Sequence, residues 1–269
     1  MIIEYHRPQT LEEALALLGR NEPLSLPLGG GSDLNKPSSE RFAAIDLQSL
    51  GLGSFQLQGH TLELGATLTL AALAEASGGQ DSQSGGRELT LQPDLRRALL
   101  LEASYNLRQV ATVAGTLFAA DGRSPWTVAL LALDTQLSLY RRGAAAAEQL
   151  SLGDFLPMRA NLRGALVTKV ALPLNVRLAY EYIARTPADW PLVCAAVARW
   201  PSGRTRLALG GFGDAPILAM DGPLSEGAEL AAADAYSQAG DKWASAEYRS
   251  ETASLLAGRA RGRLSEPLT

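Results

Sequence analysis

The sequence predicts an α+β chain. Two small α/β subdomains, about residues 1–54 and 55–171, precede a C-terminal antiparallel-sheet-plus-helices domain over 172–269. Three observations carry this expectation. The first fifty residues alternate strand-like and helix-like patterns around a run of three glycines. Residues 55–64 alternate apolar and polar side chains about Gly59-His60, the signature of a tight hairpin. The last third places strand-like runs first and helix-like runs after, the order of an α+β domain.

Residues 2–5 read as a first strand. Thr10-Leu11-Glu12-Glu13 is a capping box, and Leu11, Ala14, Leu15 and Leu18 line one helical face behind it. Residues 24–28 form a short buried strand and 42–47 a third, giving a β-α-β-loop-β unit. After the hairpin, Thr69 is placed to N-cap a helix starting near Leu70. The polar, low-complexity residues 77–86 read as a mobile surface loop. Pro93 suits the first turn of a helix running to about 104, and Ser124-Pro125 starts another through 133. Residues 135–140 read as a strand. In the last third, 167–172, 178–183, 192–200 and 205–210 read as successive strands. Helices near 226–236 and 245–264 follow.

Composition narrows the chemistry. The chain has 269 residues, 46% of them hydrophobic, which suffices for one large or two ordinary cores. Its net charge is -4 and no basic run stands out, which argues against nucleic acid. The longest apolar runs, such as residues 128–133, are far too short to span a bilayer. The first residues lack the basic start and apolar stretch of a signal peptide, so a cytoplasmic location is expected. Cys194 is the only cysteine, which excludes an internal disulfide and a self-contained iron–sulfur cluster. It sits in an apolar run and reads as a buried, inert thiol. His6 and His60 have no ligand-like neighbours, so no metal site is expected. Neither G-x-S-x-G nor H-E-x-x-H occurs. Any redox or transfer chemistry must come from a cofactor. Trp190, Trp200 and Trp243 suit an interface or a core, with core the default for a large aromatic residue.

The most informative stretch is Leu28-Gly29-Gly30-Gly31-Ser32-Asp33-Leu34. Glycine lacks Cβ, so bare N–H groups can turn toward one point and form an anion nest. Ser32 adds a hydroxyl, and a phosphate or pyrophosphate is the natural guest. The competing reading is a plain flexible turn. The stretch is not the dinucleotide fingerprint G-x-G-x-x-G, because the following Asn35-Lys36-Pro37 is poor helix material.

A second glycine-bearing segment is Leu107-Arg108-Gln109-Val110-Ala111-Thr112-Val113-Ala114-Gly115-Thr116-Leu117, and Gly65-Ala66-Thr67-Leu68-Thr69 lies between the two. In order and rough spacing these resemble the A-G-G-T-D-L, G-A-x-x-T and I-R-N-x-G-T-x-G-G-N-L segments of one family. Leu131-Ala132-Leu133-Asp134, Leu209-Gly210-Gly211 and Ser245-Ala246-Glu247-Tyr248-Arg249 resemble its later segments. The chain thus resembles, over nearly its whole length, the FAD-binding (medium) subunit of the molybdenum hydroxylases, the group of xanthine dehydrogenase and aerobic carbon monoxide dehydrogenase.

The resemblance implies FAD as cofactor, with residues 1–171 as its binding domain. It implies FAD contacts from Gly29, Gly30, Gly31, Ser32, Asp33 and Leu34 in the first loop. Arg108, Thr112, Ala114, Gly115 and Thr116 would contribute from the second, with Thr67 and Thr69 on the flavin side. It implies an oxidoreductase subunit with no catalytic residue of its own. Electrons would come from a [2Fe-2S] small subunit fed by a molybdopterin-binding large subunit, and would leave to an external acceptor. The chain departs from the family at G-G-N, here Ala114-Gly115-Thr116, and at I-R-N, here Leu107-Arg108-Gln109. The usual ribityl-contacting Asp position is Pro125, with Asp121 displaced upstream, and a customary basic residue is Tyr182. The alternative is a scaffold subunit of the same fold that has lost tight FAD binding.

Overall fold

The computed structural model describes residues 1–34, 39–77 and 89–265. The expected surface loop at 77–86 lies almost wholly outside the described residues, as do Asn35, Lys36 and Pro37. The architecture is α+β, and the chain folds into two compact units that interleave along the sequence. One comprises Met1–Glu75, Tyr105–Ala119 and Gln136–Leu172; the other comprises Ala76–Ser104, Ala120–Thr135 and Pro173–Thr269.

The first unit holds two sheets. β1 (Ile2–His6), β2 (Ser25–Leu28) and β3 (Phe42–Asp46) form a parallel sheet in the order β1-β3-β2. Helix α1 (Leu11–Leu18) starts where the capping box places it, with the Thr10 hydroxyl accepting from the Glu13 N–H at 3.2 Å. The Glu13 carboxylate reaches back to the Gln9 N–H at 2.9 Å, one residue beyond the usual target. Leu15 and Leu18 pack on Ala43 and Ile45 of the central strand β3, whose five residues are all buried. The second sheet has the order β4-β5-β8-β6-β7, built from β4 (Phe55–Gln58), β5 (Thr61–Gly65), β6 (Gln136–Arg141), β7 (Glu148–Ser151) and β8 (Ala165–Pro173). β4 and β5 are the expected hairpin, with Gly59 at φ +61° in its turn. Helices α2 (Leu70–Ala76), α4 (Tyr105–Arg108), α5 (Val113–Ala119) and α7 (Leu152–Met158) complete the region around this sheet.

The second unit is one antiparallel sheet, β12-β11-β10-β9, between two pairs of helices. Its strands are β9 (Arg177–Ile183), β10 (Val193–Arg199), β11 (Thr205–Gly210) and β12 (Ile217–Gly222). α8 (Ala228–Ala235) and α9 (Ala246–Ser265) cover one face, burying Val193, Ala195, Val197, Leu207 and Leu209. α3 (Pro93–Glu102) and α6 (Pro125–Ala132) also pack on the sheet. At Gly210 an added Cβ would fall 2.5 Å from a Val128 methyl and 2.8 Å from the Cys194 sulfur, so only glycine lets α6 lie this close. Cys194 is fully buried, and burial pushes its thiol up to about 12. It is an inert core group, as its apolar run implies.

The strand expected at 167–172 joins the sheet of the first unit, pairing antiparallel with β6. β7, α7 and β12 have no counterpart in the sequence reading. β12 is an edge strand with no buried residue, so it shows no apolar alternation. The tryptophans correct another expectation. Trp190 and Trp243 are 38% and 42% exposed and Trp200 is half-buried, so none of the three is a core residue.

Glu102 closes α3 inside the second unit. Its carboxylate accepts from the Ser124 hydroxyl at 2.8 Å and the Trp126 N–H at 3.0 Å, tying α3 to the start of α6. Burial raises its carboxyl to about 7, against the downward pull of those two donors. A raised folded-state value means that the native protein holds a proton that the unfolded chain has released. Stability from this group is therefore present below about pH 4.5 and is lost as pH rises to about 7, by up to about 3 kcal/mol. Denaturant unfolding at pH 5 and pH 8 should show that loss in the parent and not in Glu102→Gln.

Candidate functional site

The three glycine-bearing segments converge in the first unit. β2 ends at Leu28, whose carbonyl accepts from the Leu47 N–H at 3.0 Å, and the chain then leaves the sheet through Gly29, Gly30 and Gly31. An added Cβ at Gly29 would stand 2.8 Å from the Thr112 hydroxyl, and one at Gly30 would stand 1.5 Å from the Val110 carbonyl oxygen. The first loop therefore lies directly on the second segment, and its glycines are required by that contact. Gly31 has φ +77°, a conformation that side chains rarely adopt.

The second segment is fastened to the third. Ala66 and Leu68 carbonyls accept from the Ala114 and Val113 N–H groups at 3.1 and 2.8 Å, and the Leu70 N–H donates to the Ala111 carbonyl at 2.9 Å. Thr69 and Thr112 form the β-bridge at the centre of this zipper. The segment read as a second glycine loop is in fact a short turn and a helix: α4 ends at Arg108 and α5 begins at Val113. Thr112 caps α5, its hydroxyl accepting from the Gly115 N–H at 3.2 Å. The Thr69 hydroxyl does the same for α2, accepting from the Ala72 N–H at 3.1 Å.

Thr112 thus touches all three segments. Thr112→Val keeps its shape and removes the acceptor. It should cost about 1 kcal/mol of stability, whereas Thr112→Ser should cost much less. Thermal unfolding of the two variants checks this.

The donors left over define the chemistry. Among the described residues no hydrogen bond takes up the N–H groups of Gly30, Gly31 or Ser32, nor the Ser32 hydroxyl. All three residues are half-buried, which makes unmet donors costly. An anion would satisfy them. Asp33 is exposed, and Leu34 and Arg108 are half-buried. Thr67 is half-buried beside Gly53, where an added Cβ would be 3.7 Å from its hydroxyl.

The departures from the family pattern have physical roles. Ala114 is buried, with its N–H given to Ala66, so its methyl belongs to the α5 core and its amide offers nothing to a ligand. Gly115 is exposed and Thr116 half-buried, with the Thr116 hydroxyl donating to the Thr112 carbonyl at 2.9 Å. Asp121 lies in the other compact unit, exposed, accepting from the Arg123 N–H at 2.7 Å. Tyr182 is also in that unit, with the Arg97 guanidinium 4.9 Å from its ring centroid. Sequence reasoning missed Val110, whose carbonyl abuts Gly30. It also missed the capping role of Thr112, which a Thr two residues after Val110 and three before Gly115 could have signalled.

Residues 1–175 match the family described as the FAD binding domain in molybdopterin dehydrogenase. The chain is 30% identical over 214 residues to the uncharacterized protein YgfM of Escherichia coli (strain K12), covering 78% of this chain and 75% of YgfM. It is 25% identical over 283 residues to the carbon monoxide dehydrogenase medium chain of Afipia carboxidovorans, covering 96% and 94%. A solved reconstituted CO dehydrogenase from Oligotropha carboxidovorans superposes with a TM-score of 0.76 at 25% identity, covering 97% of this chain and 96% of that one. Quinoline 2-oxidoreductase from Pseudomonas putida 86 shares the fold, with a TM-score of 0.71 at 20% identity over 97% and 95% of the chains. The chain belongs to the FAD-binding medium-subunit family of the molybdenum hydroxylases, and FAD is the cofactor of that family.

Proposed function

We propose that this chain is the electron-transfer subunit of a molybdenum hydroxylase complex. It takes electrons from a [2Fe-2S] small subunit, which a molybdopterin-binding large subunit supplies, and delivers them to an external acceptor. The observation that carries this reading is the unmet donor set at Gly30, Gly31 and Ser32, held against Thr112 and Val110. The donor set fits the pyrophosphate of FAD: backbone N–H groups and a hydroxyl, half-buried, with no carboxylate bonded to them among the described residues. Bound FAD supplies redox chemistry that no side chain here can provide.

In this reading residues 1–171 are the FAD-binding domain. Gly29–Leu34, Thr112, Gly115 and Thr116 border the pyrophosphate, Thr67 and Thr69 lie toward the flavin, and Arg108 and Asp121 complete the set. Ala114 contributes through packing. Dependence on partner subunits follows from chemistry. The chain carries one cysteine, too few for a cluster, and the sequence shows no apparatus for oxidising an organic substrate. No described helix is long and apolar enough to cross a membrane; a cytoplasmic location belongs to the proposal.

Affinity purification from the native host tests the reading. It predicts recovery with an iron–sulfur and a molybdenum subunit, across interfaces exceeding roughly 1,000 Å². Recovery of this chain alone, carrying full substrate-oxidising activity, contradicts it.

A further inference from the structure

Within the second unit, a cleft of about 340 Å³ opens between α3 and the segment that follows β9. Arg97, Tyr182, Arg185, Thr186 and Pro187 line it. Both arginines are held on aromatic faces. The Arg97 guanidinium lies 4.9 Å from the Tyr182 ring centroid, and Tyr182 stacks on Tyr180 with centroids 5.9 Å apart. The Arg185 guanidinium lies 4.6 Å from the Trp243 ring centroid, and Arg123 and Lys242 approach the same ring at 5.6 and 5.1 Å. An aromatic face holds a guanidinium in place while leaving its N–H edge free to donate.

The neighbouring carboxylates are largely committed elsewhere. Asp94 and Glu181 both pair with Arg263, each at 2.9 Å, and Asp241 pairs with Arg249 at 3.0 Å. Asp189 reaches Arg185 only at 3.7 Å, and among the described residues no carboxylate pairs with Arg97. The cleft therefore presents two oriented guanidinium groups with less than matching negative charge, on a chain whose net charge is -4. Such groups fork onto carboxylate or phosphate oxygens. The depression is shallow and open, and its volume is ample for a compact dianion.

We propose that this cleft binds a small ligand with two anionic groups, one facing each arginine, of the pyrophosphate or dicarboxylate class. Its lining residues belong to the second unit and include none of the glycine loop, and the proposal does not depend on the flavin reading.

Isothermal titration of the full chain in excess FAD tests it, with inorganic pyrophosphate and succinate as separate probes. One saturable site is expected for at least one probe, and the tighter of the two names the class. Arg97→Gln and Arg185→Gln should each weaken that binding about 10-fold or more, since each removes a charge-assisted contact. Arg41→Gln, exposed in the first unit, should leave it unchanged. The proposal is overturned if neither probe binds saturably, or if both arginine variants bind as the parent does. A pyrophosphate signal lost in Gly30→Val and kept in Arg97→Gln would place the anion at the glycine loop and overturn it too.

Discussion

Gly30→Val is expected to lower FAD affinity by about 100-fold or more while leaving the bulk of the fold intact. A Cβ at this position falls 1.5 Å from the Val110 oxygen and 2.6 Å from its carbonyl carbon, both backbone atoms that cannot rotate away. The first loop must lift off the second segment, and the donors of Gly30, Gly31 and Ser32 move with it. Losing two charge-assisted bonds to an anion corresponds to about 3 kcal/mol or more, which is roughly two decades in affinity. Gly262→Ala is the matched control. It lies in α9, nothing stands within 4 Å of an added Cβ, and its flavin binding should equal that of the parent. Flavin fluorescence titration of both variants, with circular dichroism to establish folding, reads the difference.

Arg249→Ala should be the most destabilising single substitution outside the cofactor loops. Arg249 is fully buried on α9 and donates to the Leu192, Ala239 and Ala244 carbonyls at 3.2, 2.8 and 3.2 Å. It also pairs with Asp241 at 3.0 Å and lies 5.1 Å from the Phe212 ring centroid. Alanine leaves those acceptors unmet and a void where a long side chain stood. The expected cost is about 3–5 kcal/mol, or a melting temperature lower by on the order of 10 °C. A loss below about 1 kcal/mol would show that the buried guanidinium is not the clamp of the second unit.

The glycine loop was legible because three consecutive glycines after a short strand have few structural uses. Its reason was only half legible. The sequence points to a ligand near the backbone, whereas Gly29 and Gly30 are also demanded by Thr112 and Val110, residues about eighty positions away. Helix α5 was hidden because it is short and Val113, Gly115 and Thr116 are poor helix formers. It forms because Thr112 caps it and Val113 and Leu117 are buried. β8 was visible as a strand, yet nothing local distinguishes the sheet it joins, and its partner β6 is a long-range choice. The Ser245–Arg249 segment was legible as the start of a helix, but the roles of its residues were not. Its physical content is the Ser245 hydroxyl accepting from the Tyr248 N–H at 3.2 Å, together with the buried Arg249 clamp. The exposure of Trp243 was illegible, because Arg123 and Arg185, which pack on its ring, stand far from it in the sequence, whereas Trp200 meets Arg204 only four residues on.

Equilibrium titration of the purified, flavin-free chain with FAD bears most directly on the central claim. One FAD per chain should bind saturably, and inorganic pyrophosphate should compete with it in the parent and in Arg97→Gln alike. A folded chain that takes up no FAD at any concentration would contradict the claim and identify a scaffold that keeps the loop without its ligand.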